Sequence, residues 1–214
     1  MSGRRQEILD AALAVADEHG LAAVTMRAVA ERVGVTPMAL YPHVGDKDGL
    51  LDGMLGRLLG QLPPIEGGEW QERLGTLARA MRTLAKQHPG ATSLLFARPT
   101  VSPDAVRVVD SIYLALLEAG VPADQVPRLE RLVSTLILGY AVSEASGRFG
   151  SGTQNPRARR GQLPTGDLPG HHELAETLDR EVDWDAEFEA DLVDLTDLIR
   201  TYTRRQGSAP TYSH

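Results

Sequence analysis

Apolar residues recur along most of this chain every three or four positions, the spacing that places them on one face of an α-helix. Runs that alternate between apolar and polar residues, as in a half-buried strand, are missing. We therefore predict an all-α fold. The predicted helices cover residues 4–18, 25–34, 36–43, 46–62, 70–88, 92–97, 103–119, 124–149, 171–180 and 184–205.

Residues 25–49, TMRAVAERVGVTPMALYPHVGDKDG, have the residue types and spacing of a helix-turn-helix. Thr25 can cap the first helix, and Gly34 can end it in the left-handed conformation. Thr36 can then cap a second helix in which Leu40 faces inward. The exposed face of that second helix would be Thr36, Met38, Ala39, Tyr41 and His43. The alternative is an ordinary helical hairpin inside a bundle.

The composition limits the classes of protein that remain. A chain of 214 residues with 42% hydrophobic content can bury a sizeable core, in one domain or in a small and a medium one. The absence of Cys excludes disulfides, thiolate nucleophiles and Cys-based zinc sites. No stretch reaches the roughly 18 apolar residues of a membrane span, and MSGRRQEI lacks a following apolar segment. We therefore expect no membrane partner and a cytoplasmic location.

The net charge of -7 and the isoelectric point near 5.4 argue against a nucleic-acid partner, because phosphates favour a basic surface. Even the first 50 residues hold more acidic than basic side chains. Placement weakens this objection, since backbone N–H groups at helix starts also bind phosphates. Arg4, Arg5, Arg27 and Lys47 lie at helix starts near the predicted DNA face, whereas Asp10, Asp17 and Glu18 follow a first helix that can point away.

Several segments resemble the TetR family of one-component transcriptional repressors. RRQEILDAALAVADEHG, TMRAVAERVGV and YPHVGDKDGLL are similar to its DNA-binding helices and the start of its fourth helix, over about the first 55 residues. KQHPGATSLLFARPT, LEAGV and LILGYAVSE are similar to its tetracycline-repressor-like regulatory domain. The resemblance implies a three-helix helix-turn-helix domain followed by a larger helical-bundle regulatory domain. The expected bounds are residues 1–48 for the first and 49–206 for the second.

The resemblance implies that Tyr41 and Lys47 hold phosphates and that the outer face of the second motif helix reads bases. Thr36 and His43 can hydrogen-bond to base edges, and Met38 and Ala39 can meet thymine methyl groups. Pro42 is expected to end this helix early. The full predicted DNA-binding set is Arg27, Thr36, Pro37, Met38, Ala39, Tyr41, His43 and Lys47.

The resemblance also implies double-stranded DNA with a palindromic operator, a homodimer, and an unidentified small-molecule effector that releases the repressor from DNA. The helices over 124–149 and 184–205 carry more apolar surface than one small domain can cover, which predicts a dimer seam including Leu195 and Leu198. Residues 150–170 hold repeated Gly and Pro and are predicted to form a flexible loop. Candidate effector-binding residues are Trp70, Leu77, Met81, Phe96, Tyr113, Tyr140 and Glu144.

Other chemistry lacks a basis in the sequence. The run from His171 to Glu173 lacks the second His of a zinc-protease motif, and Phe188 stands where a calcium loop needs Gly. Leu94 aligns with a metal-binding His of the tetracycline repressor, so a magnesium–tetracycline effector is not expected. Nucleophile elbows, dinucleotide loops and phosphate loops are absent as well. We expect no metal, no cofactor and no enzyme; the alternative is a helical enzyme or small-molecule carrier with an incidental hairpin.

Overall fold

A computed structural model describes residues 3–97, 102–149, 161 and 164–204 of the chain. This part is helical and contains no strand, in agreement with the predicted all-α fold. Short 3-10 turns cover Leu21–Ala23, Pro37–Ala39 and Thr165–Asp167. The helices are α1 (Gly3–His19), α2 (Met26–Val33), α3 (Tyr41–Val44), α4 (Lys47–Leu59), α5 (Trp70–Gln87), α6 (Leu94–Ala97), α7 (Pro103–Glu118), α8 (Val126–Ala145), α9 (Pro169–Glu173), α10 (Ala175–Leu178) and α11 (Trp184–Arg204).

The N-terminal helices form a small unit in which α1 packs against α2, α3 and α4. The Thr25 hydroxyl caps α2 by accepting a hydrogen bond from the Ala28 amide at 3.1 Å. Gly34 ends α2 with a φ of 76°, in the left-handed region that glycine enters without a steric cost. The chain then turns back, and Leu40 is fully buried as the helix-turn-helix pattern predicts.

The remaining helices form a bundle in which α5 packs against α7 and α8, and α7 packs against α8. Helix α11 joins it through buried Phe188, whose ring lies 4.8 Å from that of Tyr140 on α8. Helix α4 belongs to both groups, because it packs on α1 at one side and on α6 and α7 at the other. The buried apolar residues of the two groups form one continuous core.

Two glycines let α4 approach its neighbours closely. A β-carbon on Gly53 would lie 2.7 Å from a methyl carbon of Leu9 on α1. A β-carbon on Gly56 would lie 3.2 Å from the β-carbon of Ser102, the residue that caps α7. Helix α4 is therefore in tight contact with the N-terminal unit and with the bundle at the same time.

A second contact joins the two groups at the end of α1. The Asp17 carboxylate lies 2.7 Å from Nδ1 of His88 and accepts a hydrogen bond from the Gly90 amide at 3.2 Å. Gly90 touches α1 so closely that a β-carbon there would overlap the carbonyl oxygen of Ala16. The turn between α5 and α6 thus rests on the C-terminal end of α1.

The structure corrects several predicted boundaries. Helix α4 ends at Leu59 rather than Leu62, and the helix predicted over 171–180 is two short helices, α9 and α10. Within the predicted loop 150–170, residues 165–167 form a 3-10 turn and α9 begins at Pro169. The rest of that loop, including its RARR run, lies outside the described residues, apart from 161, 164 and 168. No helix in the described part of the chain is long and apolar enough to cross a membrane.

Candidate DNA interface and regulatory cavity

The second element of the helix-turn-helix is not one continuous helix. Residues Pro37–Ala39 form a 3-10 turn, and α3 follows as a single α-helical turn. The expectation that Pro42 ends the helix is wrong, because Pro42 lies in the first turn of α3, where its missing N–H costs nothing. Thr36 occupies the cap position, but its hydroxyl makes no capping hydrogen bond. The Thr36 hydroxyl therefore does not cap the helix, contrary to the prediction from the sequence.

The predicted base-reading side chains lie on the protein surface. Thr36, Pro37 and Ala39 are exposed, and Met38 is 74% exposed. His43 is half-buried, and its backbone carbonyl accepts a hydrogen bond from the Arg5 side chain of α1 at 3.2 Å. Helix α1 thereby fixes the position of the recognition segment, which we define as residues 36–44.

The predicted phosphate-binding residues flank the recognition segment. Tyr41 is 45% exposed, Lys47 is the first residue of α4, and Arg27 lies in the first turn of α2. Asp46 caps α4 by accepting a hydrogen bond from the Gly49 amide at 2.9 Å. Among the described residues, neither Arg27 nor Lys47 has an ion-pair partner. Both cations are available to a ligand.

The acidic residues of α1 are occupied within the protein. Asp10 accepts hydrogen bonds from Arg57 of α4 at 2.6 and 3.1 Å. Glu18 accepts two from Arg32 of α2, and this guanidinium lowers the pKa of the Glu18 carboxyl. Together with the Asp17–His88 contact, these pairs place a partner beside three acidic residues of α1, although the net charge of the chain stays at -7.

The bundle contains an apolar cavity of about 270 Å³ between α4, α5, α6, α7 and α8. This volume is just below the range of about 300–1,000 Å³ that is common for small-molecule pockets. Two polar residues, Glu130 and Ser134, belong to an otherwise apolar lining. The lining consists of Leu55, Leu59, Leu77, Met81, Leu95, Ala105, Val108, Val109, Ile112, Glu130, Ser134, Ile137 and Leu138.

The structure brings two of the seven candidate effector residues to this cavity, Leu77 and Met81 of α5. The other five do not line it. Trp70 is buried at the start of α5, Tyr113 is partly buried against the core, and Phe96 is 53% exposed. The remaining two, Tyr140 and Glu144, belong to a separate cluster.

That cluster joins α5, α8 and α11 around the Arg82 side chain. Its guanidinium donates two hydrogen bonds of 2.5 Å to Glu144 and one of 2.6 Å to Asp185, and it lies 4.7 Å from the centre of the Phe188 ring. Lys86 adds a second cation 3.0 Å from Glu144, and these partners lower the pKa of the Glu144 carboxyl. The Tyr140 hydroxyl donates to the backbone carbonyl of Trp184 at 2.9 Å. Glu144 and Tyr140 are therefore occupied in packing these helices together, and not in the cavity.

Glu130 was absent from the predicted site, although the sequence contains a signal for it. It stands four residues after Val126 and three before Val133, so it shares the buried stripe of α8. An acidic residue in an apolar stripe indicates a buried charge, which requires a partner. Helical periodicity alone does not say which cavity that charge meets.

The described residues contain no group of three His, Asp or Glu side chains placed to hold a metal ion. Two acidic residues shortly before Phe188, Asp183 and Asp185, have structural roles instead. Asp183 accepts hydrogen bonds from the amides of Asp185 and Ala186 at the start of α11, and Asp185 pairs with Arg82.

An exposed recognition segment, held by α1 and followed by a capped helix with a free lysine, defines a helix-turn-helix DNA-binding regulator. Comparison with known proteins gives the family. Residues 8–54 match the family model described as bacterial regulatory proteins, tetR family, and residues 62–199 match the tetracyclin repressor-like, C-terminal domain. The second match alone covers more than half of the chain, and the chain belongs to the TetR family of transcriptional regulators.

Individual relatives agree with this assignment. A Saccharopolyspora erythraea HTH-type transcriptional regulator is 28% identical over 169 residues, which cover 77% of this chain and 72% of the relative. The HTH-type transcriptional repressor KstR of Mycolicibacterium smegmatis is 30% identical, over 63% of this chain and 73% of KstR. In structure, the chain is similar to Streptomyces coelicolor ActR, crystallised in complex with actinorhodin, with a TM-score of 0.78, 24% identity, and coverage of 93% of this chain and 97% of ActR.

These matches confirm the predicted family, the predicted two-part helical fold and the expectation that the chain is not an enzyme. The helical carrier or enzyme with an incidental hairpin is thereby excluded. The bounds of the two domains and the roles of individual DNA-binding and effector-binding residues remain predictions.

Proposed function

We propose that this chain is a homodimeric repressor that binds a palindromic operator in the cytoplasm and is released from DNA by a small molecule held in the cavity. The domain bounds that we propose are residues 1–48 for DNA binding and 49–206 for effector binding and dimerisation. The observation that carries the proposal is that Leu55 and Leu59 of α4 line the cavity, while the same helix begins next to the recognition segment.

DNA binding would use the recognition segment in the major groove. Lys47, Tyr41 and Arg27 would contact phosphates, and exposed Thr36 and Met38 would contact base edges. The segment offers no Arg, Asn or Gln for bidentate base recognition, so apolar contact, DNA shape and water would contribute much of the specificity. One short segment with few donors supports the use of two copies, about one helical turn of DNA apart.

The dimer would form through exposed apolar residues of α8 and α11. Leu132 of α8 and Val193 and Leu198 of α11 are at least one-third exposed. Leu195, expected at the same seam, is only 3% exposed within the protomer, so its side chain belongs to the core of one subunit. The proposed seam therefore contains Leu198 but excludes Leu195. Dimers of such bundles commonly bury faces of this kind.

Release would act through α4. A ligand that enlarges the cavity pushes on Leu55 and Leu59, and the close contacts at Gly53 and Gly56 leave α4 little room to move independently of α1 and α7. A displacement of α4 changes the separation of the two recognition segments. The structural similarity to ActR, crystallised in complex with actinorhodin, supports a ligand-holding bundle by analogy of fold.

The test begins with DNA selected from a random pool by the purified chain, followed by footprinting of the selected sites. Inverted repeats protected by two subunits are expected, whereas protection of a lone asymmetric site by a monomer would contradict the proposal. An effector found by screening must then obey reciprocity. If it weakens operator binding roughly 5- to 150-fold, operator DNA must weaken effector binding by the same factor. Equal effector affinity with and without saturating operator would exclude release by this ligand.

A further inference from the structure

The apolar cavity contains one acidic residue with an unusual environment. Glu130 is 8% exposed and, within the described part of the chain, is the one charged residue that is classed with the buried core. Eleven of the thirteen residues that line the cavity are apolar, so they solvate the Glu130 carboxylate poorly.

Among the described residues, Glu130 has a single hydrogen-bond partner. The Ser134 hydroxyl, one helical turn along α8, donates to its carboxylate at 2.6 Å. No Lys, Arg or His of the described residues lies within ion-pair distance of Glu130. A carboxylate has about four acceptor positions, so most of its capacity is unused by the protein.

Glu144, the other glutamate of α8, is a useful comparison because its carboxylate is paired with cations that hold the helices together. Glu144 is also largely buried, and it receives both Arg82 and Lys86. Glu130 receives no such cation, although it lies on the same helix and deeper in the bundle. Buried charges are normally paired, and this one faces a space large enough for a ligand.

We propose that the effector is an amphipathic cation, with a protonated amine or amidine that pairs with Glu130 and an apolar body that fills the space between α4, α5 and α7. This inference rests on the proposed role of the cavity and adds the chemical class of its ligand. Ser134 orients the carboxylate, leaving its remaining acceptor positions for the ligand. The apolar body touches Leu55 and Leu59, so the anchored cation places the bulk of the ligand against α4.

Three probes with one apolar body test the ligand class: 1-naphthylmethylamine, 1-naphthalenemethanol and 1-naphthoate. Their affinities are measured by calorimetry for the full chain and for Glu130→Gln and Glu130→Leu. Because charge-assisted hydrogen bonds are among the stronger ones, the wild type should bind the amine at least about tenfold more tightly than the alcohol, and the acid most weakly. Both Glu130 variants should lose this preference while keeping the alcohol affinity within about threefold.

Two further variants make the outcomes separable. Glu187→Gln applies the same chemical change to an exposed residue of α11 and should keep the amine preference. Val109→Trp fills the cavity and should abolish binding of both the amine and the alcohol.

Equal affinities for amine and alcohol in the wild type, or a preference that survives in Glu130→Gln, would overturn the cationic ligand class. The cavity would still stand as a ligand site if Val109→Trp blocked the alcohol. If no probe bound the wild type, both the ligand class and the proposed role of the cavity would be overturned.

Discussion

Replacing Arg82 by Met tests whether the cluster around Glu144 holds the bundle together. Met keeps much of the aliphatic stem but removes the guanidinium. The Arg82 side chain is 11% exposed and pairs with a Glu144 side chain that is 13% exposed. Removing one partner of a buried ion pair costs about 3–5 kcal/mol. Lys86 remains 3.0 Å from Glu144 and compensates part of the charge, and the pair with Asp185 adds little because Asp185 is 81% exposed.

We therefore expect Arg82→Met to lower the free energy of unfolding by about 2–3 kcal/mol. For a chain of this size the melting temperature should fall by about 4–12 °C. Thermal and urea denaturation followed by circular dichroism measure both quantities. The protein concentration is kept constant, because dimerisation would stabilise the folded state in a concentration-dependent way. The matched control is Arg79→Met, which removes the pair between Arg79 of α5 and Glu189 of α11. Both of its side chains are about half exposed, so it should cost less than about 1 kcal/mol.

The pH dependence of the unfolding free energy provides a second, independent test of the Arg82–Glu144 pair. Arg82 chiefly lowers the pKa of Glu144 below the ordinary value of 4.5, so the pair contributes its full stability above that pH. This contribution is lost as the pH falls through the lowered pKa. The stability difference between wild type and Arg82→Met should therefore narrow below pH 4.5, and adding Glu144→Gln to the variant should restore part of the loss at pH 7.

A melting temperature of Arg82→Met within about 1 °C of the wild type at pH 7 would refute this reasoning. So would a loss no larger than that of Arg79→Met. Either result would mean that Glu144 is not tied into the bundle as its geometry indicates.

Three further predictions concern the proposed DNA-binding residues, the turn between α5 and α6, and the proposed dimer seam. Lys47→Ala should weaken binding to all DNA sequences and lower the slope of log affinity against log salt by about one, as measured by fluorescence anisotropy. Met38→Ala should change the sequence preference and leave that slope unchanged. An unaltered slope for Lys47→Ala would contradict its phosphate role. Gly90→Ala should lower the melting temperature by several degrees, because its β-carbon meets the backbone of α1 and no rotamer relieves the overlap; a wild-type melting curve would show that the turn does not rest on α1 in solution. Leu198→Glu should yield folded monomers by sedimentation with helical circular dichroism retained, and intact dimers would place the seam elsewhere.

Local chemistry in the sequence is sufficient for the helix-turn-helix. Helix caps and helix ends depend on contacts within three or four residues, as Thr25, Gly34 and Asp46 show. Their effect can therefore be predicted without any tertiary contact. The stripes of apolar residues predict the long helices for the same reason. The sequence does not settle the conformation around Pro42, because one proline suits either the end of one helix or the start of the next.

The assignment of buried residues to packing or to a cavity depends on neighbours that are distant in the chain. Tyr140 and Glu144 lie on the same apolar helix as Ile137 and Leu138, and periodicity cannot separate them. The fold separates them, because Arg82 and Phe188 pack against one end of α8. Helices α4 and α7 face its middle across the cavity. Likewise, Leu195 and Leu198 are equal as apolar residues of α11, and only the packing of the protomer buries the first.

The sequence by itself determined the helical class and the recognition segment, because these depend on residue types at short spacings. Its resemblance to the TetR family supplied the family and the phosphate-binding candidates. Tertiary structure alone decided that α4 forms a wall of the cavity and that three acids of α1 pair with Arg57, Arg32 and His88. It also decided that Glu130 has no cationic partner among the residues that the structure describes. Each of these facts depends on side chains separated by tens of residues. Spacing along the chain encodes a helix face, whereas what that face meets is set by how the helices pack.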